Sequence, residues 1–82
     1  MWEYRYALCK LLVKGQDWRK ALDECDRALS LNPANEPARI LLIVCCLRCG
    51  KKDRARSEFQ TLLALKPKEE SALRTWFAEQ MP

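Results

Sequence analysis

The cysteines at positions 45, 46 and 49 carry the most conspicuous chemistry in this chain, because 45 and 49, or 46 and 49, are neighbours on one face of a helix and approach a metal-ligand spacing. A structural zinc site needs four ligands, and the sequence contains no histidine to help supply them. Buried thiols standing where a helix wants a small apolar side chain are the simpler reading, so no metal is expected. Redox catalysis by Cys46-x-x-Cys49 fails on electrostatics: the pair sits at the end of a helical pattern, where the helix dipole opposes a thiolate. Without histidine the commonest general base is also absent. No glycine-rich phosphate loop, serine nucleophile motif or carboxylate pair is present, and Asp23, Glu24 and Asp26 read as a solvated helix face. The expectation is therefore no catalytic residue, no cofactor and no enzyme.

Charge offers a second kind of chemistry. The net charge is +4, and Arg48, Lys51, Lys52, Arg54 and Arg56 crowd one segment. Phosphate contacts from such residues dominate nonspecific nucleic-acid affinity, but no aromatic residue interleaves with them and no recognition motif surrounds them. Nucleic acid is a distant third among the partners weighed.

With 82 residues, 49% hydrophobic and 32% charged, the chain has the composition of one small folded unit and is too short for a multidomain enzyme. Its longest apolar run, 40–47, falls far short of the roughly 20 residues of a membrane-spanning helix. Residues 1–14 lack the layout of a signal peptide, and five cysteines cannot all pair within one chain. Reduced thiols, a cytoplasmic setting and no membrane are the corresponding expectations.

The elements that position these residues follow from an internal repeat. A shift of 34 residues lays Ala21 on Ala55, Glu24 on Glu58, Leu29 on Leu63, Leu31 on Leu65 and Pro33 on Pro67, and it also carries Arg5 onto Arg39, Leu8 onto Leu42, Glu36 onto Glu70 and Ala38 onto Ala72. Each unit reads as two helices. Apolar residues at helical spacing predict a helix over 2–14, interrupted at Gly15-Gln16-Asp17. A second runs from Trp18 to near Asn32-Pro33, where proline disfavours continuation, and Asn35 can cap the next. The second unit repeats the plan with helices over about 36–49 and 53–66 and a turn at Gly50-Lys51-Lys52. Gly15 and Gly50 stand 35 apart rather than 34, which implies slightly different turns. A fifth helix, 69–80, would close the stack with Leu73, Trp76, Phe77 and Gln80 on one face. No segment alternates with period two, so the fold class is all-α, antiparallel helix hairpins stacked as an α-solenoid of five helices.

These residues resemble a tetratricopeptide repeat protein over essentially the whole chain, as one domain with repeat 1 at about 2–35, repeat 2 at about 36–69 and a capping helix at about 69–80. Leu8 and Leu42 match the family's first-helix leucine, Cys9 and Ile43 its small residue, Ala21 and Ala55 the alanine of the second helix. Cys25 and Phe59 match its aromatic position, Ala28 and Leu62 its second small position, and Pro33 and Pro67 its proline. The departures are Arg5 and Arg39 where tryptophan is usual, Cys25 for an aromatic residue, and Ile43 and Leu62 for smaller ones.

The resemblance implies protein binding in a concave groove lined by the first helix of each repeat. Carried over position by position, the first unit offers Glu3, Tyr6, Ala7, Lys10, Val13 and Lys14, the second Pro37, Ile40, Leu41, Val44, Leu47 and Arg48, and the closing helix Ser71, Arg74, Thr75 and Ala78. The helix over 36–49 is apolar on every side from residue 40, so something must cover each face. Packing of the stack accounts for Leu42, Ile43, Cys45 and Cys46, leaving Ile40, Leu41, Val44 and Leu47 as anchors, with Tyr6 and Val13 widening the strip. Lys10, Lys14, Arg48 and Arg74 would border it. The expected partner is another protein, contributing an apolar or amphipathic helix or peptide with acidic flanks, and the chain would act as an adaptor or dedicated chaperone. A self-association or intramolecular docking surface, giving a homo-oligomer in the first case, is the alternative. The family's carboxylate clamp is not expected, because its positions hold Glu3, Ala7, Leu41, Ser71 and Thr75.

Overall fold

The computed structural model describes residues 8, 10, 11 and 14–81. Leu8, Lys10, Leu11 and Lys14 are helical, and the rest of the helix expected over 2–14 lies outside the described residues. Four helices follow: α1 (Trp18–Leu31), α2 (Glu36–Arg48), α3 (Lys52–Ala64) and α4 (Glu70–Gln80). The described residues thus hold four helices where five were expected for the chain, and they contain no strand.

Local chemistry sets the helix ends. The Asp17 side chain accepts from the Lys20 amide at 3.4 Å to open α1, and the Asn35 side chain accepts from the Ala38 amide at 3.0 Å to open α2, with Pro37 in its first turn. The two intra-repeat turns correspond more closely than the glycine spacing implied. The left-handed residue is Gln16 in the first (φ 62°) and Gly50 in the second (φ 75°), and these stand 34 apart, in repeat register. Gly15 is not the residue that needs glycine's freedom. The turns that leave the second helices do differ, since Lys66 is left-handed (φ 55°) whereas its counterpart Asn32 is extended (φ −146°).

The core forms where the hairpins cross. Ala21, Cys25 and Ala28 of α1, Ala38, Leu42, Ile43, Cys45 and Cys46 of α2, and Ala55, Phe59 and Leu62 of α3 are all buried. The buried set includes both members of the matched pairs Ala21 with Ala55, Cys25 with Phe59 and Ala28 with Leu62, whereas of Glu24 and Glu58 only Glu24 is buried. Alanine-sized residues recur at these places because closely crossing helices leave room for no more.

The closing helix is attached differently. No residue of α4 is buried; Leu73, Trp76 and Phe77 are half-buried against the core, and the Phe77 ring stacks on Phe59 with centroids 4.2 Å apart and planes 7° from parallel. Such a ring pair contributes about 0.5–1.5 kcal/mol beyond its area. No helix among the described residues is long and apolar enough to cross a membrane.

Candidate functional site

Helix α2 divides its apolar residues between core and surface. Ala38, Leu42, Ile43, Cys45 and Cys46 are buried, while Ile40, Leu41, Val44 and Leu47 remain half-buried, none of them sealed. Ile40, Leu41 and Leu47 also rest against the core cluster.

Two clefts open along the side where α2 residues meet those of α4. The first, about 450 Å³, has an apolar floor of Pro37, Ile40, Pro67 and Leu73 and a rim of mixed charge from Glu36, Lys66, Lys68 and Glu69. The second, about 300 Å³, is lined by Val44, Leu47, Arg48, Lys52, Trp76 and Gln80. Ile40 and Leu47 are seven residues apart, as are Leu73 and Gln80, so both helices run from the first cleft to the second, separated by about 10 Å.

These clefts gather Ile40, Val44, Leu47 and Arg48 from the expected set and leave Leu41 outside both. Tyr6 and Val13 lie outside the described residues. Lys10 and Lys14 are exposed on the segment before α1 and line neither cleft. Arg74 is exposed and pairs with Glu70 at 3.0 Å; it too lines neither cleft. On α4 the lining residues are Leu73, Trp76 and Gln80 rather than Ser71, Arg74, Thr75 and Ala78. Lys52, Trp76 and Gln80 are absent from the expected binding set; the signal for Trp76 was its size on a helix too short and too peripheral to bury it.

Arg48 is held in place from the other side. Its guanidinium lies 5.7 Å from the centroid of the Trp18 ring, a cation–π contact on the side where Arg48 also lines a further cleft with Asp17 and Trp18, and it makes no ion pair with an acidic side chain among the described residues.

The cysteines divide as their burial dictates. Cys45 and Cys46 are buried free thiols and Cys49 is a half-buried one, whereas Cys25 is disulfide-bonded, so the expectation of uniformly reduced thiols does not hold. Burial, reinforced by the neighbouring Cys46 and Cys49, pushes the Cys45 thiol from 9.0 up to about 12. Burial also raises Cys46, against the opposing pull of Arg54. Because the folded value is the higher one, the stability drawn from a neutral Cys45 is fully present below about pH 9 and is lost as pH climbs towards 12. A thiol reagent at neutral pH is expected to modify Cys49 promptly and to reach Cys45 and Cys46 only as fast as the chain unfolds. Prompt modification of all three, read by mass spectrometry, would contradict the packing of α2. Among the described residues no group of cysteine and acidic side chains could hold a metal ion.

Residues 4–75 match the family model for the tetratricopeptide repeat. Comparisons with curated proteins and with solved structures give no match. Repeats of this family are non-catalytic and generally mediate protein–protein interaction. A match spanning all but the two ends of the chain, together with helix hairpins in 34-residue register, establishes that this protein belongs to the tetratricopeptide repeat family.

Proposed function

We propose that this chain, as a single repeat domain divided at about residues 35 and 69, is a protein-interaction module that seats an apolar or amphipathic segment of a partner along α2. The observation that supports this is the half-exposure of Ile40, Leu41, Val44 and Leu47 on a helix whose other apolar side chains are buried. Surface apolar strips beside polar rims are what helix-in-groove recognition uses. Tyr6 and Val13 extend the strip in this reading, and Lys10, Lys14, Arg48 and Arg74 orient a partner with acidic flanks. The role is that of an adaptor or a dedicated chaperone, in a cytoplasmic setting.

Val44 is the cleanest residue for a test, because it lines the second cleft and is not among the side chains resting on the core. Val44→Glu is expected to weaken capture of the partner from cell extract by more than about tenfold, since a carboxylate would be desolvated against an apolar segment. Helical content by circular dichroism should be unchanged. Loss of helicity would mean that Val44 holds the fold rather than a ligand. The competing reading, self-association through the same strip, requires a concentration-dependent dimer in light scattering that Val44→Glu dissociates. Nucleic-acid binding would instead appear as a low-salt gel shift that weakens steeply with salt.

A further inference from the structure

We propose that the second cleft is a recognition pocket for an acidic residue of the partner, placed about 10 Å from the apolar side chain that fills the first cleft; this deepens the groove reading and rests on it. The two clefts differ in chemistry. The first sets equal numbers of positive and negative groups, Lys66 and Lys68 against Glu36 and Glu69, around an apolar floor, and so selects for shape and hydrophobicity. The second sets Arg48 and Lys52 beside Val44, Leu47 and Trp76, with the Gln80 amide as a further donor, and no acidic side chain lines it.

Neither cation of the second cleft is neutralised within the described residues. Arg48 contacts the Trp18 ring, which orients the guanidinium without cancelling its charge, and Lys52 takes part in no ion pair. Nearby basic residues do not compete in the same way: Arg54 is committed to Asp26 and Glu58, and Arg56 to Asp53. The cleft's lining is mixed: Arg48, Lys52 and Gln80 supply donors for charge-assisted hydrogen bonds, and Val44, Leu47 and Trp76 give the methylene of an aspartate or glutamate a surface to lie on. An isolated lysine or arginine patch would attract any anion. The pairing with a neighbouring apolar cleft at a fixed distance narrows the ligand to a polypeptide carrying an apolar anchor and a carboxylate. About 10 Å corresponds to two turns of a helical partner or one three-residue turn of a polyproline II partner, either of which puts both side chains on one face.

The test is selection of a random-sequence peptide display library on the immobilised 82-residue chain, followed by titration of the selected peptides and mapping of amide shifts by NMR. The selected peptides are expected to carry aspartate or glutamate seven residues from a large apolar residue if they bind as helices, or three residues from it if they bind as polyproline II segments. Exchanging that acid for its amide should weaken binding by about tenfold. Arg48→Gln and Lys52→Gln should each erase most of the acid-over-amide preference while leaving the shifts at Ile40 and Leu73 in place. Both substitutions fall at exposed positions, so the fold should tolerate either. Peptides that shift Ile40 and Leu73 but bind equally well as acid or amide would overturn the carboxylate pocket and leave the groove reading standing. Selected peptides that shift neither cleft would overturn both.

Discussion

Leu62→Ala is expected to destabilise the protein by about 2–5 kcal/mol, the cost of deleting a fully buried leucine and leaving part of its volume empty. A folded chain of this size has on the order of 4–12 kcal/mol in total, so the substitution would consume a large share of it. Repeat arithmetic points the other way: Ala28 occupies the equivalent place 34 residues earlier, and the family favours a small residue there. The packing decides between them. Both positions are 0% exposed, so each side chain fills the space its own surroundings leave. Beside α1 lies α2, which buries five residues; beside α3 lies α4, which buries none and is held through Phe77 on Phe59. Leucine at position 62 is fully enclosed, and alanine there would leave part of that volume empty. The reciprocal change, Ala28→Leu, should overpack its site and cost about 1–3 kcal/mol. Urea denaturation reads both, as a fall in midpoint at unchanged slope. A Leu62→Ala variant within about half a kcal/mol of the parent would show that the site collapses without a cavity.

The same contrast between the inner helices and the closing one explains what was legible in the sequence. Helix bounds were readable to within one or two residues because proline and asparagine punctuate them: α1 ends at Leu31 before Asn32-Pro33, and α2 begins after the Asn35 cap. The core was readable because the 34-residue register falls on positions where a close crossing admits only certain sizes. The first turn misled because glycine is an unreliable marker when a neighbour takes the left-handed conformation, as Gln16 does. On α4 the apolar spacing assigns one face to packing and the family resemblance another to binding. Leu73 and Trp76 do both, half-buried against the core and lining the clefts, because no described helix packs on the far side of α4 to complete their burial. A pattern that sorts each residue onto a single face misses such dual positions. Arg39 marks a different limit. Its departure from the family's tryptophan was visible, and so was the recurrence of Arg5 with Glu24 as Arg39 with Glu58, but only the packing joins the second pair.

That pair carries the other large expected effect. Arg39 Nη1 donates to Glu58 Oε1 at 2.5 Å, and Nη2 donates to the Pro33 carbonyl at 3.0 Å, while Nε is buried without a partner. Glu58 also lies 3.7 Å from Arg54, which in turn donates to Asp26. The network thereby ties α1, α2 and α3 together at the face where the first two hairpins meet. The Arg39 and Glu58 side chains are only 11% and 19% exposed, so removing one strands the other's charge in poorly solvated surroundings. Glu58→Leu alone is expected to cost about 3 kcal/mol, near the lower end for a buried pair because some solvent still reaches it. Arg39→Met alone should cost less, since Glu58 keeps Arg54 as a partner. The double variant should recover most of the loss, because replacing both charges with apolar side chains of similar length removes the desolvation cost along with the attraction. A double-mutant cycle from denaturation midpoints would then give a coupling above about 1 kcal/mol. Strict additivity of the two changes would mean that the pair sits side by side without cooperating, and that α2 and α3 are held by their apolar crossing alone.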